Sequence, residues 1–193
     1  MKHQRGFTIA ELIIVVIIAA VLAAVAAPNL SEFVKNNTRA TRVNTMVTAL
    51  NYARGQAVTR NTRVSVCRSA GLVDCDGVGD GSFQSGWIVF TDGSVRGDVD
   101  GTDVVLRVFQ PDMGGVASMI ASNDDGVIEG LSFESNGLGW DINPTAGATA
   151  VTDNTYFVYC DDRGVDAARA IRISPTGYPS LVTDVAGEGL ACP

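Results

Sequence analysis

The sequence predicts an α+β fold: one long N-terminal helix packed on mostly antiparallel β-sheets. Three observations carry this. Residues Phe7 to Ala27 form a nearly unbroken run of Ile, Val, Leu and Ala. Apolar residues then recur at three- and four-residue steps to about Arg60. After Asn61 the pattern changes to short alternating or compact apolar runs separated by turn residues. A long helix followed by many strands places the helix on one face of the sheets. Four segments result: a basic lead at 1–6, an apolar helix at 7–27, an amphipathic helix at 28–60 and a β-rich head at 61–193. The head is large enough for one domain with a single core.

The apolar run holds about 21 residues, which at ~1.5 Å per residue spans ~30 Å, the thickness of a bilayer's hydrocarbon core. Glu11 sits near its start, and a carboxylate inside a membrane segment is costly and points to function. A secretory signal is cut after its apolar core, at small residues. Here the small-residue junction is Gly6–Phe7, ahead of the core, so a cut there leaves the helix on the mature chain.

Pro28 cannot donate to the carbonyl of Ala24, and its ring crowds the preceding turn, so a kink is expected there. Beyond it, Leu30, Phe33, Val34, Val43, Met46, Val47, Leu50, Ala53, Ala57 and Val58 follow the helical period. Asn36, Asn37, Arg39, Arg42, Asn44 and Arg54 occupy much of the other face. The apolar stripe is expected to lie on a sheet.

Val64-Ser65-Val66 alternates as a half-buried strand does. Gly86 to Phe90 is a compact strand ended by Asp92-Gly93, and Val104 to Phe109 is another, bounded by Pro111. Val127 to Phe133, Leu138 to Ile142, Tyr156 to Tyr159 and Ala170 to Ile173 complete the set, with turns at Asn136-Gly137 and Thr176-Gly177.

Charge is divided along the chain. Nine of the 14 basic residues lie at or before Arg68, whereas 19 of the 21 acidic residues lie at Asp74 or later. Such an acidic head presents no broad electrostatic footprint for nucleic acid. The single histidine, His3, falls in the basic lead. The head therefore has no means for Ser-His-Asp or Cys-His catalysis, or for a His-based metal site.

The positive lead predicts the N-terminus inside and the head outside, where disulfides persist. Cys67, Cys75, Cys160 and Cys192 allow three pairings. Spacing favours Cys67 with Cys75 as a short loop and Cys160 with Cys192 as a clasp on the C-terminus. The rival, a four-thiolate zinc site, draws on close C-x-x-C pairs, which are absent. Asp74, Asp76 and Asp80 form one acidic cluster and Asp98, Asp100 and Asp103 another. Neither has the EF-hand spacing with its closing Glu, so both are read as solvated turns. No spacing selects a carboxylate pair for glycoside hydrolysis. No metal site and no cofactor is expected.

The basic lead, Gly6, Phe7, Glu11 as the fifth residue from Phe7, and Pro28 together resemble the class III signal of type IV pilins and type II secretion pseudopilins. Asn51 to Asn61 and Val64 to Cys67 resemble the helix end and first strand of FimT/FimU minor pilins and their GspH relatives. Gly86 to Asp92, Val105-Leu106-Arg107, Tyr159-Cys160-Asp161 and Ala168 to Ile171 are also similar to that group. The resemblance implies cleavage between Gly6 and Phe7 by prepilin peptidase on the cytoplasmic side, with N-methylation of Phe7. It implies that Glu11 meets the Phe7 amine of a neighbouring subunit and sets register during assembly. Many pilins carry a helix-loosening Gly in the apolar run; this chain has Ala20 and no Gly from Phe7 to Ala27.

Some FimT-like pilins bind DNA through a Gly-Arg-x-Arg element near the C-terminus. The corresponding stretch here is Gly177-Tyr178-Pro179-Ser180, with both arginines absent. Phosphate contacts would then fall to Arg169 or Arg172.

The expected protein is a structural, non-catalytic minor type IV pilin that primes or caps pilus assembly. The alternatives are a GspH-like pseudopilin of type II secretion, a pilus-tip DNA receptor and a membrane-anchored periplasmic enzyme. The implied partners are other major and minor pilins or pseudopilins, prepilin peptidase and the inner-membrane assembly platform. The implied location is the inner membrane, single-pass with a periplasmic head, then the filament near its tip.

Overall fold

The computed structural model describes residues 8–76, 82–110, 117–143, 147–152 and 154–192, including all their side chains except those of 26–29. The chain divides into two units, Met1–Ala40 and Thr41–Pro193. One helix, α1 (Ile9–Arg60, 52 residues), contributes to both.

In the first unit every described side chain from Ile9 to Val25 is exposed. By length and composition α1 is able to cross a membrane. In the second unit Val43, Met46, Ala49, Leu50, Ala53 and Ala57 are buried, at the three- and four-residue steps that line one helix face. The three alanines let the sheets approach the helix axis closely. Asn61, at φ 52°, ends the helix in the left-handed conformation, and Thr62 N–H donates back to the Ala57 carbonyl at 3.2 Å. That is a Schellman stop, with Asn in glycine's usual place.

Two antiparallel sheets follow. The first has six strands: β1 (Val64–Arg68), β2 (Trp87–Thr91), β3 (Val105–Phe109), β6 (Gly130–Phe133), β7 (Gly139–Asn143) and β8 (Gly147–Ala150), in the order β3-β2-β1-β6-β7-β8. The second has five: β4 (Ser118–Asn123), β5 (Gly126–Val127), β9 (Thr155–Cys160), β10 (Arg169–Ile173) and β11 (Pro179–Val182), in the order β11-β10-β9-β4-β5. The buried helix residues from Val43 to Ala57, Val64, Val66, Trp87, Leu131 and Phe133 of the first sheet, and Met119, Phe157, Ile171 and Ile173 of the second share one core. The α+β fold read from the sequence is the fold observed.

Three local expectations are corrected. Leu30, Phe33, Val34 and Val58, read as part of the stripe lying on a sheet, are exposed, and the buried face runs only from Val43 to Ala57. Val127 to Phe133 is not one strand: β5 belongs to the second sheet and β6 to the first. The chain crosses between sheets at Ile128 and Glu129, whose amides bond Ala121 and Ile142 respectively. Gly130 makes the crossing possible, because a Cβ there would stand 2.3 Å from the Val66 carbonyl oxygen. Val64 to Val66 is not half-buried: Ser65 is as buried as its neighbours. The outer face of its sheet is covered by a small cluster of Cys67, Ile88 and Phe90 with Leu72, Cys75, Val99 and Val105.

The outer face of the second sheet is covered by the C-terminal segment. Val185 is buried there against Tyr156, Val158, Ala168 and Ala170, with Leu190 and Cys192 packed alongside.

Candidate assembly site

Gly6 and Phe7 lie outside the described residues, and so does the side chain of Pro28 with the bend expected there. The described site begins at Thr8. Its backbone N–H and its Oγ1 each donate to Glu11 Oε2 at 3.0 Å, and Glu11 N–H donates to Thr8 Oγ1 at 3.3 Å. This is a capping box, in which two otherwise unpaired donors of the helix start are satisfied reciprocally. The Thr8-x-x-Glu11 spacing ahead of an apolar run was the available sequence signal, and reading Glu11 alone misses it. Only Oε2 is engaged; Oε1 has no partner among the described residues. Glu11 therefore closes its own helix with one carboxylate oxygen, and the other is unengaged among the described residues.

Behind it Leu12, Ile13, Ile14, Val15, Val16, Ile17 and Ile18 are all exposed, so the apolar surface goes all round the helix rather than forming a stripe. Such a cylinder is stable only in lipid or among other helices.

In the head, disulfides join Cys67 to Cys75 and Cys160 to Cys192, with Cα separations of 5.6 and 5.7 Å. The second fastens the C-terminal segment onto β9, where Tyr156 Oη also donates to Glu188 Oε2 at 3.1 Å. The acidic turns serve backbone amides. Asp76 Oδ2 accepts from Ala70 N–H, Asp100 Oδ2 from Val95 N–H, and Asp103 from Gly93 and Asp100 N–H. Asp80 lies outside the described residues. Among the described residues no group of three or more His, Cys, Asp or Glu side chains is placed to hold a metal ion. A groove of about 730 Å³ beside the C-terminal segment, lined by Ser118, Ile120, Ser122, Val158 and Leu190 among others, has no titratable side chain among the described residues that line it.

Arginines hold the loops over the first sheet. Arg63 donates to Asp92 Oδ1 at 2.7 Å, while Asp92 Oδ2 accepts from Ser65 Oγ and from Gly97 N–H. Arg68 pairs with Glu129, and Arg96 with Glu134. The candidate DNA ligands are not assembled. Arg169 donates to the Ala168 and Thr183 carbonyls, and Arg172 stands opposite Tyr156 across the β10–β9 pair. Three residues apart on a strand, they start from opposite faces.

The family described as Type II transport protein GspH matches residues 42–177, and the Prokaryotic N-terminal methylation motif matches residues 1–27. The chain belongs to the GspH family of pilins and pseudopilins. The GspH match covers α1 from Arg42 onward and the strands from β1 to β10. The methylation motif takes in Gly6, Phe7, Thr8 and Glu11. A crystal structure of the type IV minor pilin FimU of Pseudomonas aeruginosa, in space group P21, has the same fold. It aligns at a TM-score of 0.53 and 21% identity over 83% of this chain and 96% of that one. A second FimU crystal form, in space group P65, aligns at 0.47 and 20% identity over 77% and 93%. No curated protein sequence matches the chain.

Proposed function

We propose that this GspH-family chain is a minor type IV pilin that enters a pilus through α1 and helps prime or cap its assembly. Prepilin peptidase cuts between Gly6 and Phe7, and the new amine of Phe7 is methylated. The helix stays as a single-pass inner-membrane anchor, with the head in the periplasm. The inner-membrane assembly platform then lifts it into a filament of major and minor pilins. The protein is structural: no step of this sequence asks it for catalysis.

One observation carries the reading. The first half of α1 exposes apolar side chains in every direction, although the head has a complete core of its own. A subunit leaving the bilayer must rebury that surface, and neighbouring pilin helices supply it. In that dry setting an unpaired carboxylate is costly. The free Oε1 of Glu11 supports pairing with the Phe7 amine of an adjacent subunit.

Glu11→Ala is expected to leave membrane insertion and leader cleavage intact while lowering recovery in sheared pili at least about tenfold, the effect of ~1.4 kcal/mol. Quantitative mass spectrometry of the pili measures it. The same spectra should show a chain that begins at methylated Phe7. Normal incorporation of the variant defeats the Glu11 assignment, and a chain retaining Met1 defeats the cleavage.

The description of the matched family favours a second reading, a pseudopilin of type II secretion. Deleting the gene separates the two: loss of surface pili supports the first, and loss of secreted proteins from the medium supports the second. DNA binding is not proposed, because Arg169 is engaged with backbone carbonyls and Arg172 stands on the other face of β10.

A further inference from the structure

Arg54, half-buried, and Tyr178, exposed, form an ordered pair on the head. The Arg54 guanidinium carbon lies 3.8 Å from the centre of the Tyr178 ring, and Arg54 Nε donates to the Gly137 carbonyl at 3.1 Å. Its terminal nitrogens make no hydrogen bond among the described residues. The tyrosine is held as firmly. Tyr178 N–H donates to Ser174 Oγ at 3.1 Å, and Ser174 N–H donates to the Tyr178 carbonyl at 3.0 Å. The turn that accepts the Arg54 hydrogen bond and the turn that precedes Tyr178 meet at glycines. A Cβ on Gly177 would stand 2.5 Å from the Gly137 oxygen, and both residues have positive φ.

Tyr178 is nevertheless 56% exposed, and aliphatic residues close to the pair in the chain are exposed too. Val58 lies one helical turn beyond Arg54, Leu138 follows Gly137 and Leu181 follows Tyr178 by three residues. An ordered Arg–Tyr pair within exposed aliphatics has the composition of an interface hot spot, and its pre-organisation lowers the ordering cost of docking. The charge is also distinctive. After Arg68 the chain has five arginines against 19 carboxylates, so carboxylates are what a cation with open donors would meet on a head of this composition.

We propose that this platform docks an acidic turn on the head of the next subunit in the filament. A carboxylate there meets the terminal nitrogens of Arg54, and its apolar flanks cover Tyr178, Val58 and Leu181. The proposal rests on the filament reading above. Heads of this composition offer such turns: Asp124 and Asp125 at the tip of the β4–β5 hairpin are both exposed. Arg favours this partner over Lys because its planar fork matches a carboxylate.

The test uses the full-length chain in cells that make the filament, with a photoreactive benzophenone side chain at Val58 or at Leu181. Irradiated filaments should yield an adduct to a neighbouring subunit, mapped by mass spectrometry to a peptide containing Asp or Glu. Arg54→Glu should lower its yield at least about tenfold, and Arg54→Lys should lower it less. Blocking free thiols checks that both disulfides form in each variant, which separates lost docking from lost folding. The proposal is overturned by a chain that is present in filaments yet gives no adduct, by an adduct indifferent to Arg54→Glu, or by one on a peptide lacking a carboxylate. If the chain is absent from filaments the underlying reading fails, and this proposal fails with it.

Discussion

The two halves of α1 use similar residues for different ends. From Val43 to Ala57 the apolar side chains make a stripe, and the sheets consume it fully. From Ile9 to Val25 they go all round the helix, and none of the described residues buries them. The first arrangement satisfies a folding requirement. The second states a requirement that only a membrane or other subunits meet, because water-exposed apolar surface of that extent is unfavourable at roughly 25 cal/mol per Å². The difference teaches that burial, rather than hydrophobicity, separates the folding half of the helix from the assembling half.

The sharpest way to break that comparison is to remove the same side chain from each half. Leu50→Ala should destabilise the head by about 2–5 kcal/mol, through lost transfer energy and the cavity left behind. Leu22→Ala should leave the head's denaturation midpoint unchanged. Urea titration of the full-length chain in detergent measures both, and equal effects would mean the halves are not distinct.

The disulfides come next, since they act only on the head. The Cys160–Cys192 loop separates its cysteines by 32 residues and the Cys67–Cys75 loop by eight. Chain-entropy reasoning gives about 3.7 kcal/mol for the longer loop and about 2.5 for the shorter. Cys160→Ser with Cys192→Ser should therefore lower the midpoint more than Cys67→Ser with Cys75→Ser. Neither pair of substitutions should alter membrane insertion.

The smallest expected effect concerns the buried counterpart of Glu11. Asp141 is fully buried, with Oδ2 accepting from Asn123 Nδ2 and Thr155 Oγ1 at 2.9 Å and Oδ1 without a partner. Burial raises its pKa above the usual 3.8; the Asn123 and Thr155 hydrogen bonds oppose this, and the nearby Asp125 adds to it. The folded chain thus holds this proton more tightly than the unfolded one. The contribution to stability is full below about pH 3.8 and is lost as pH rises through the folded-state pKa. Asp141→Asn should flatten that part of the pH profile and leave the head no less stable at pH 7. Denaturation at pH 4 and pH 7 reads the difference; an unchanged profile would show that Asp141 does not titrate in this window.

Much of the fold was legible because period and burial coincide. The stripe Val43 to Ala57 and the compact runs at Trp87 to Phe90 and Tyr156 to Tyr159 are both apolar in sequence and buried in the fold. Three strands escaped notice for lack of that signal. β8 reads Gly-Ala-Thr-Ala at a sheet edge, β11 begins at Pro179 on the opposite sheet's edge, and β4 alternates mostly small residues. The single strand expected from Val127 to Phe133 failed because apolar residues continue through a change of sheet. At the candidate site, Glu11 was visible as a charge in an apolar run. Its bond to Thr8 was written in their spacing and passed over. The Arg54–Tyr178 pair had no local signal, because its members lie far apart in the chain.

Order along the chain, the membrane-length helix and the exposed acid near its start follow from the amino acids by themselves. Each depends on neighbours a few residues away or on summed composition. Which sheet each strand joins, that both faces of β1 are covered, that Cys67 takes Cys75 and Cys160 takes Cys192, and that Arg54 rests on Tyr178 were decided by the tertiary structure. Those outcomes depend on which distant backbones pack closely enough to exclude water, and a one-dimensional pattern does not encode that distance.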